Sequence, residues 1–247
     1  MQAVILAAGI AKRLRPLTDT TPKCLLNVGE TNLLHRTIDN IIENGIKDFV
    51  FVTGYRENMI KEYLERNFTE INKIILTNPD YENNNNSYSL WMTKEYVKGE
   101  MLLLDSDILF DKGIIAKLLN SGHGNCLAVN FTEKLDAEQI KVIVDKENKI
   151  LEIGKEISIE QSIGESIGIE KFSINYLMEL YNILDRKIVK ENNVNEFYEA
   201  SFQEIINRND AGNSIYSVDV SEYECMEIDT AEDYYNACNL YKNKKGN

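Results

Sequence analysis

The chain has 247 residues, of which 43% are hydrophobic and 27% are charged, and its formal net charge is -13. These values are typical of a globular protein with a sizeable core, in one large α/β domain or two small ones. No apolar run reaches the ~18 residues that a membrane span needs. The pI near 4.7 argues against a nucleic-acid polymer or an anionic membrane as a partner.

The cysteines and the first residues of the chain bear on its compartment. Cys24, Cys126, Cys225 and Cys238 lie far apart and form no CxxC pair, so we expect reduced thiols and no sulfur-bound metal. The start, MQAVILAAG, lacks a basic segment and a long apolar run, which argues against a signal peptide. We therefore expect a cytoplasmic protein.

Short apolar runs alternate with amphipathic stretches through the first half of the chain. The pattern predicts strands at 3–8, 48–54, 73–78 and 101–110, and helices at 32–44 and 57–68. This βαβαβ alternation indicates a parallel sheet that is covered by helices. Such sheets bind ligands at the carboxyl ends of their strands.

The hydrophobic pattern of the sequence changes after residue 124. CLAVNF, IKVIVD and KILEI have the pattern of antiparallel strands, and residues 145–149 fit a turn between two of them. Helical stretches follow at roughly 174–190 and 197–208, and a last helix at about 231–243 is expected to pack on the first half. We predict one domain, with a core of 1–124 and 223–247 and a smaller insert of 125–222.

The loop LAAGIAKRLRPLTDTTPK, residues 6–23, collects positive charge directly after the first predicted strand. Its cations are Lys12, Arg13, Arg15 and Lys23. Gly9 has no Cβ, so backbone N–H groups can approach a ligand there. Backbone N–H, arginine and lysine groups suit phosphate oxygens. A turn with solvated lysines is the alternative, and neither a Walker A loop nor a GxGxxG fingerprint is present.

The full span LAAGIAKRLRPLTDTTPKCLLNV, residues 6–28, resembles the signature of nucleotidyltransferases that join an NTP to a phosphorylated small molecule, LAAGxGxRLxPLTxxxPKxLxxV. One position departs from it, because the second glycine is Ala11. The resemblance implies that the loop wraps a triphosphate. It assigns Arg13 and Lys23 as catalytic residues that meet the pyrophosphate and the reacting phosphates, and Leu6, Ala8, Gly9 and Lys12 as nucleotide-binding positions.

Two acidic phrases suggest a metal site. In LLLDSDILFD, residues 102–111, Asp105 and Asp107 are two apart at the end of an apolar strand, so both carboxylates can face one side. Carboxylates at this edge of a parallel sheet suit Mg²⁺ beside phosphates. The resemblance assigns Asp107 as a metal ligand, and Asp229 in MEIDTAEDYYNA as the second ligand. It leaves Asp105 as a nucleotide-binding candidate.

Helix capping is the alternative explanation for several of these acids. Asp111 fits the cap of the following helix better than Asp107 does. Thr230 and Asp233 form a capping-box pattern at the start of the last helix. That pattern does not require Asp229, so capping does not compete with the assignment of Asp229 as a metal ligand.

The phrase NPDYENNNNSYSLW, residues 78–91, bears on the choice of substrate. A run of asparagines fits a simple loop. It also resembles a phrase of cytidylyltransferases that act on phosphocholine and related compounds, where it lines the nucleotide and acceptor site. We therefore add Asn85, Asn86 and Ser87 to the nucleotide-binding candidates. The PxGxAxA-like phrase of sugar-phosphate enzymes is absent, which favours the bacterial phosphocholine type.

The acceptor site is predicted from aromatic and acidic side chains. On a helix at 88–97, Trp91 falls outside the apolar face, so its ring is available to a cationic amine. The predicted acceptor-binding residues are Tyr88, Trp91, Lys155, Glu196, Tyr198 and Glu199. Lys155 matches a family lysine for the acceptor phosphate, or is a solvated hairpin lysine. Packing roles are equally compatible with Trp91 and Tyr198.

Together these observations predict an α/β fold of nucleotidyltransferase type. It has a Rossmann-like, mostly parallel sheet flanked by helices, and a smaller α+β acceptor-binding insert. The expected reaction transfers CMP from CTP to a small phosphorylated or phosphonate amine such as phosphocholine, with Mg²⁺, by direct displacement. No nucleic-acid or membrane partner is expected, and a homodimer stays open.

Two alternatives stay open at this point. One is a sugar-1-phosphate nucleotidyltransferase that uses UTP or dTTP. The other is a non-catalytic regulatory subunit that binds nucleotides, and such chains typically lose the motif's charged residues. The chain has all of them, namely Arg13, Lys23, Asp107 and Asp229.

Overall fold

The computed structural model describes residues 1–132 and 134–243, and its elements follow the predicted order. The strands of the first half are β1 (Gln2–Ala7), β2 (Asn27–Val28), β3 (Thr31–Asn32), β4 (Asp48–Thr53), β5 (Asn72–Thr77), β6 (Met101–Asp105) and β7 (Ile108–Phe110). The later strands are β8 (Cys126–Phe131), β9 (Lys141–Val144), β10 (Ile150–Gly154), β11 (Gly164–Phe172), β12 (Tyr216–Asp219) and β13 (Cys225–Glu227). The α-helices are α1 (Leu33–Glu43), α2 (Glu57–Asn67), α3 (Asn86–Met92), α4 (Gly113–Leu119), α5 (Ile174–Asp185), α6 (Glu199–Asn207) and α7 (Ala231–Asn243).

In the described residues, one nine-stranded mixed sheet runs through the molecule in the order β10-β9-β11-β6-β1-β4-β5, with β8 on β11 and β12 on β8. The pairs β1–β4, β1–β6 and β4–β5 are parallel. Strand β11 is antiparallel to β6. The predicted α/β fold is confirmed, and the predicted insert continues the sheet of the core.

The central strands are apolar throughout because both faces of the sheet are covered. Ile5 and Phe51 point to the face packed by α1 and α2. Val4 and Val50, the alternate residues, point to the face packed by α3, α5 and α6. Strands buried on both faces give continuous apolar runs in the sequence, which is why they are recognisable without alternation.

Side chains cap the starts of helices α1 and α7. Asn32 accepts a hydrogen bond from the backbone of His35 at 2.8 Å and starts α1. Thr230 and Asp233 form the predicted capping box, with Thr230 N donating to Asp233 Oδ2 at 2.7 Å. Helix α7 then packs on the first half of the chain, as predicted, and the Tyr234 hydroxyl donates to Asn27 O at 2.9 Å.

None of the helices in the described ranges is both long enough and apolar enough to cross a bilayer.

Two predicted elements are shorter than the sequence pattern indicated. The predicted strand 101–110 is broken, because the chain turns between β6 and β7. Strand β7 leaves the main sheet and pairs antiparallel with β13, with Glu227 opposite Ile108. The predicted helix 88–97 ends at Met92, and turns follow it. The first of these differences places Asp107 in a turn that faces the segment after β13.

Ala11, the departure from the signature, adopts a left-handed conformation with φ 53° and ψ 56°. Its carbonyl accepts hydrogen bonds from Thr18 Oγ1 at 3.0 Å and from Leu14 N at 3.1 Å. These contacts hold the turn that leads into the cationic loop. A Cβ in this region is crowded by the following carbonyl, which costs roughly 1–2 kcal/mol.

We predict that Ala11→Gly stabilises the protein, because glycine adopts the left-handed conformation without the Cβ clash. The expected gain is about 1 kcal/mol after the larger entropy of the unfolded chain is deducted. That gain corresponds to a melting temperature about 2–4 °C higher. The matched control is Ala116→Gly in the middle of α4, which should destabilise by about 1 kcal/mol. A lower melting temperature for the Ala11 variant would contradict the assignment of strain.

Candidate active site at the carboxyl edge of the sheet

A cleft of about 770 Å³ opens where β1 and β6 end, between the cationic loop, the asparagine-rich segment and the insert. Most of the predicted site residues line it. They are Leu6, Ala8, Gly9, Arg13, Lys23, Asn85, Asn86, Asp105, Asp107, Lys155, Glu199 and Asp229. A Cβ on Gly9 would meet no heavy atom within 4 Å. The protein's packing therefore does not require a glycine there, and the open space beside it belongs to the cleft.

Trp91 and Tyr88 lie outside the cleft, and Trp91 joins α3 to α5. The Trp91 indole N–H donates to Asp185 Oδ1 at 2.7 Å, and its ring lies 5.4 Å from the ring of Tyr88. Both side chains pack on the hydrophobic core of that face. The helical wheel for 88–97 did not foresee this packing, because it placed Trp91 on a face without neighbours.

Four further predicted residues do not line the cleft either. Lys12 is exposed, and Ser87 is a buried residue in the first turn of α3. Glu196 pairs with the ammonium of Lys187. Tyr198 is fully buried and approaches the cleft only through Asp105, to which its hydroxyl donates at 2.9 Å.

Lys23 is the central cation of the site. Its Nζ lies 2.9 Å from Asp107 Oδ2 and 2.6 Å from Asp229 Oδ1. Arg13 forms an ion pair with the other oxygen of Asp229. Burial by itself lowers the pKa of Lys23, but the charges of Asp107 and Asp229 outweigh burial and raise that pKa above its ordinary value. Lys23 is therefore a permanent ammonium at neutral pH.

Asp107, Glu227 and Asp229 form an acidic triad beside Lys23, with carboxylate oxygens that all lie within 4.8 Å of one another. Sequence reasoning found Asp107 and Asp229 but missed Glu227. The available signal was its spacing, because Glu227 precedes Asp229 by two residues at the end of a strand and can face the same side.

The triad has the chemistry of a magnesium site. All three donors are carboxylate oxygens, which Mg²⁺ prefers. Asp107 Oδ1 is buried and has no hydrogen-bond partner among the described residues. A buried carboxylate oxygen without a partner is costly, and a divalent cation would provide the missing partner. The residues therefore fit the predicted metal.

A second acidic group consists of Asp105 and two glutamates that come from later parts of the chain. Glu170 comes from β11, Glu199 starts α6, and the Tyr198 hydroxyl lies 2.9 Å from Asp105 Oδ2 and 3.4 Å from Glu170 Oε1. Glu170 Oε2 and Glu199 Oε2 have no hydrogen-bond partner in the described ranges. Burial raises the pKa of Glu170 well above its ordinary value and that of Glu199 to about 7. We call Asp105, Glu170 and Glu199 the buried acid group.

Glu170 was missed because its neighbourhood depends on strand pairing. It lies opposite Leu103 of β6 and Leu127 of β8. The signal in the sequence was a carboxylate within the apolar phrase GIEKF. Burial, followed by the charge of Asp107 and that of Glu199, raises the pKa of Asp105 well above its ordinary value.

The opposite wall of the cleft presents fixed amides. Asn78 is fully buried, and its Nδ2 donates to Asn84 Oδ1 at 2.8 Å and to Ser89 Oγ at 3.2 Å. Asn84 Nδ2 donates back to Asn78 Oδ1 at 3.1 Å. The amide orientations are therefore set by the fold. Sequence reasoning selected Asn85 and Asn86 from this run and missed Asn78, Asn84 and Ser89, which also line the cleft.

Lys155 stands on the insert side of the cleft. Its Nζ lies 4.8 Å from the centre of the Phe197 ring and 3.6 Å from Glu138 Oε2. Glu138 belongs to a loop that the buried Lys141 side chain contacts. Lys141 Nζ donates to Asp136 O at 3.1 Å and to Gln139 O at 3.0 Å. One ammonium thus faces the cleft from the insert, apart from the cations of the signature loop.

Comparisons with known proteins agree with this geometry. Residues 2–134 match the protein-family model described as Nucleotidyl transferase. A protein of Aquifex aeolicus, called bifunctional IPC transferase and DIPP synthase, is 32% identical over 238 residues. That match covers 94% of this chain and 49% of the relative, so the chain spans about half the length of that protein.

Two other similar proteins match over most of their length. The CTP:phosphoglutamine cytidylyltransferase of Campylobacter jejuni is 29% identical over 224 residues, which cover 82% of this chain and 86% of that protein. The solved CTP:phosphocholine cytidylyltransferase of Streptococcus pneumoniae superposes with a TM-score of 0.81 at 23% identity, covering 97% of this chain and 98% of the other. The second comparison shows a shared fold. With the family match over more than half of its length, the chain belongs to the nucleotidyl transferase family.

Proposed function

We propose that the protein is a cytidylyltransferase that transfers CMP from CTP to a small phosphorylated or phosphonate amine and releases pyrophosphate. The observation that carries this proposal is the division of charge in one cleft. Arg13 and Lys23 stand at the signature loop, and the carboxylate of Glu199 lines the insert side. The first end suits phosphates, and the second suits a cation.

The choice of CTP rests on the amide wall and on the relatives. Amides of fixed orientation can donate to and accept from the polar edge of a base, which is how a site distinguishes one base from another. The Campylobacter jejuni relative and the Streptococcus pneumoniae structure both have CTP in their names. We assign the nucleotide to the wall formed by Leu6, Ala8, Gly9, Asn78, Asn84, Asn85, Asn86 and Ser89.

The proposed reaction is a single in-line displacement. An oxygen of the acceptor's phosphate or phosphonate attacks the α-phosphorus of CTP, the bond from that phosphorus to the bridging oxygen breaks, and pyrophosphate leaves with the electron pair. The acceptor is already anionic at pH 7, so no general base is needed. Negative charge shifts to the leaving group, and Lys23 and Arg13 stabilise it as fixed cations.

Asp107, Glu227 and Asp229 would hold Mg²⁺ in the proposed enzyme. A bound Mg²⁺ would add positive charge against the phosphates, in a place where substrate phosphates commonly complete its coordination. Lys23 contacts two of these acids, so it also fixes the orientation of the metal-binding carboxylates. Lys155 is assigned to the acceptor's phosphate, because it is the cation on the insert side of the cleft.

The proposed function is tested by measuring pyrophosphate release over a grid of substrates. The nucleotides are CTP, UTP and dTTP, and the acceptors are phosphocholine, phosphoethanolamine, 2-aminoethylphosphonate and glucose 1-phosphate. We expect the highest kcat/KM for CTP with one of the amines. The highest value for glucose 1-phosphate with UTP or dTTP would identify a sugar-phosphate enzyme instead. CTP binding without pyrophosphate release from any pair would indicate a regulatory protein.

Lys23→Ala is expected to lower kcat by about 10²–10³, because one charge-stabilising contact to the reacting phosphates is lost. Lys112→Ala is the matched control, since Lys112 is an exposed lysine that pairs with Glu43 outside the cleft. Its kcat should stay within about twofold of wild type. If the Lys23 variant kept a rate within about threefold of wild type, the assignment of Lys23 would be wrong.

Asp107→Asn and Asp229→Asn should each abolish most of the Mg²⁺-dependent turnover, and the double variant should be little worse than either. Residues that act on one shared ion lose function non-additively. Mn²⁺ affinity, measured by electron paramagnetic resonance, should fall in all three variants. The control is Asp111→Asn, an exposed acid on the same segment that accepts from Gly113 N at 2.7 Å. Losses that multiplied in the double variant would refute the shared site.

A further inference from the structure

Glu199 is placed to accept a hydrogen bond from an N–H group of a ligand in the cleft. It is the first residue of α6, only 7% exposed, and it lines the cleft. Its Oε2 has no hydrogen-bond partner in the part of the chain that the structure describes. Buried carboxylate oxygens are normally paired, since an unpaired one retains its full desolvation cost. A ligand in the cleft can supply the missing donor.

The groups around Glu199 do not supply that donor. Asp105 and Glu170 are carboxylates, and the one phenolic proton of Tyr198 is directed at them. Lys155 contributes its charge, but its ammonium is held over Phe197 and near Glu138. Burial nevertheless raises the pKa of Glu199 to about 7. A cationic donor from the ligand would favour the ionised carboxylate.

The cleft lacks the aromatic cage that a quaternary ammonium requires. The aromatic side chains that line it, within the described residues, are Tyr81 and Phe197. Tyr81 lies against Gly54, on the nucleotide side. The face of Phe197 carries the ammonium of Lys155. Trp91 and Tyr88 do not line the cleft, so they offer no ring to a ligand bound there. Trimethylammonium groups bind through such faces, because they have no polar hydrogen to donate.

We infer that the acceptor carries an ammonium group with at least one N–H, that this N–H is donated to Glu199, and that the site discriminates against a trimethylammonium group. The inference rests on the proposed function and specifies its acceptor. A methyl group in place of the last N–H would leave Glu199 Oε2 unpaired and place an apolar group against a buried charge. A hydrogen bond to a charged group corresponds to a preference of about 10- to 100-fold.

The test is a methylation series on the wild-type protein at saturating CTP. The acceptors are phosphoethanolamine, its N-methyl and N,N-dimethyl derivatives, and phosphocholine. All of them keep the phosphate and the positive charge, and they lose their N–H groups one at a time. We expect kcat/KM to fall by about 10- to 100-fold from the dimethyl to the trimethyl compound, mostly through a higher KM.

The possible results separate this inference from the proposed function. Turnover of phosphocholine as efficient as that of phosphoethanolamine would overturn the inference and leave the cytidylyltransferase assignment intact. A gradual decline without a step at the last methyl group would also overturn it, since bulk alone would explain that result. Failure of every amine, with turnover of glucose 1-phosphate, would overturn the proposed function and the inference with it.

Glu199→Gln tests the residue itself. The amide keeps the shape but removes the charge, so KM for phosphoethanolamine should rise about 10-fold or more and the step at the last methyl group should shrink. KM for CTP should stay within about twofold. The matched control is Glu152→Gln, an exposed glutamate on β10 outside the cleft. If the Glu199 variant retained the full wild-type selectivity, the assignment to Glu199 would fail. Because the methylation series uses wild-type protein, it decides the acceptor class even if this variant folds poorly.

Discussion

The ammonium of Lys23, held between Asp107 and Asp229, is the contact on which the rest of the site depends. It joins the signature loop, the turn after β6 and the segment after β13, which are far apart in the sequence. Three carboxylates within 4.8 Å of one another repel strongly, and a buried lysine without partners would be equally unfavourable. The Lys23 ammonium and the carboxylates therefore stabilise each other. Removing either partner leaves an uncompensated charge in a partly buried position.

That arrangement also explains how a protein with a net charge of -13 can accommodate phosphates. The cations of the loop act over short distances, since surface charges farther away are screened by salt. Near the cleft, Arg13, Lys23 and the acidic triad beside them determine the local potential, whereas the remote acidic surface has little effect. On the insert side, Glu199 presents a carboxylate oxygen without a hydrogen-bond partner among the described residues, and Lys155 presents an ammonium. One cleft can thus orient a ligand that is negative at one end and positive at the other.

Local sequence features predicted most of the fold. Apolar runs located the central strands, helical spacing located α1, and the capping box located the start of α7. The pairing of strands that are far apart in the chain could not be predicted from local sequence features. Glu227 joins the triad because β13 pairs with β7, and Glu170 joins the buried acid group because β11 pairs with β6. The helical wheel for Trp91 assumed a helix through residue 97, whereas α3 ends at Met92, and a wheel cannot include contacts with α5.

The hydrogen bonding of β11 to β6 has a mechanical consequence. Strand β11 is hydrogen-bonded directly to β6, which ends at Asp105, so the core and insert sides of the cleft share one backbone frame. A rigid-body rotation of the insert relative to the core would have to break the hydrogen bonds between β11 and β6. We therefore expect any rearrangement of the cleft to occur in segments outside this ladder, such as the loop that Lys141 contacts at Asp136 and Gln139. In the proposed reaction, this frame would fix the distance between the residues that hold the two substrates.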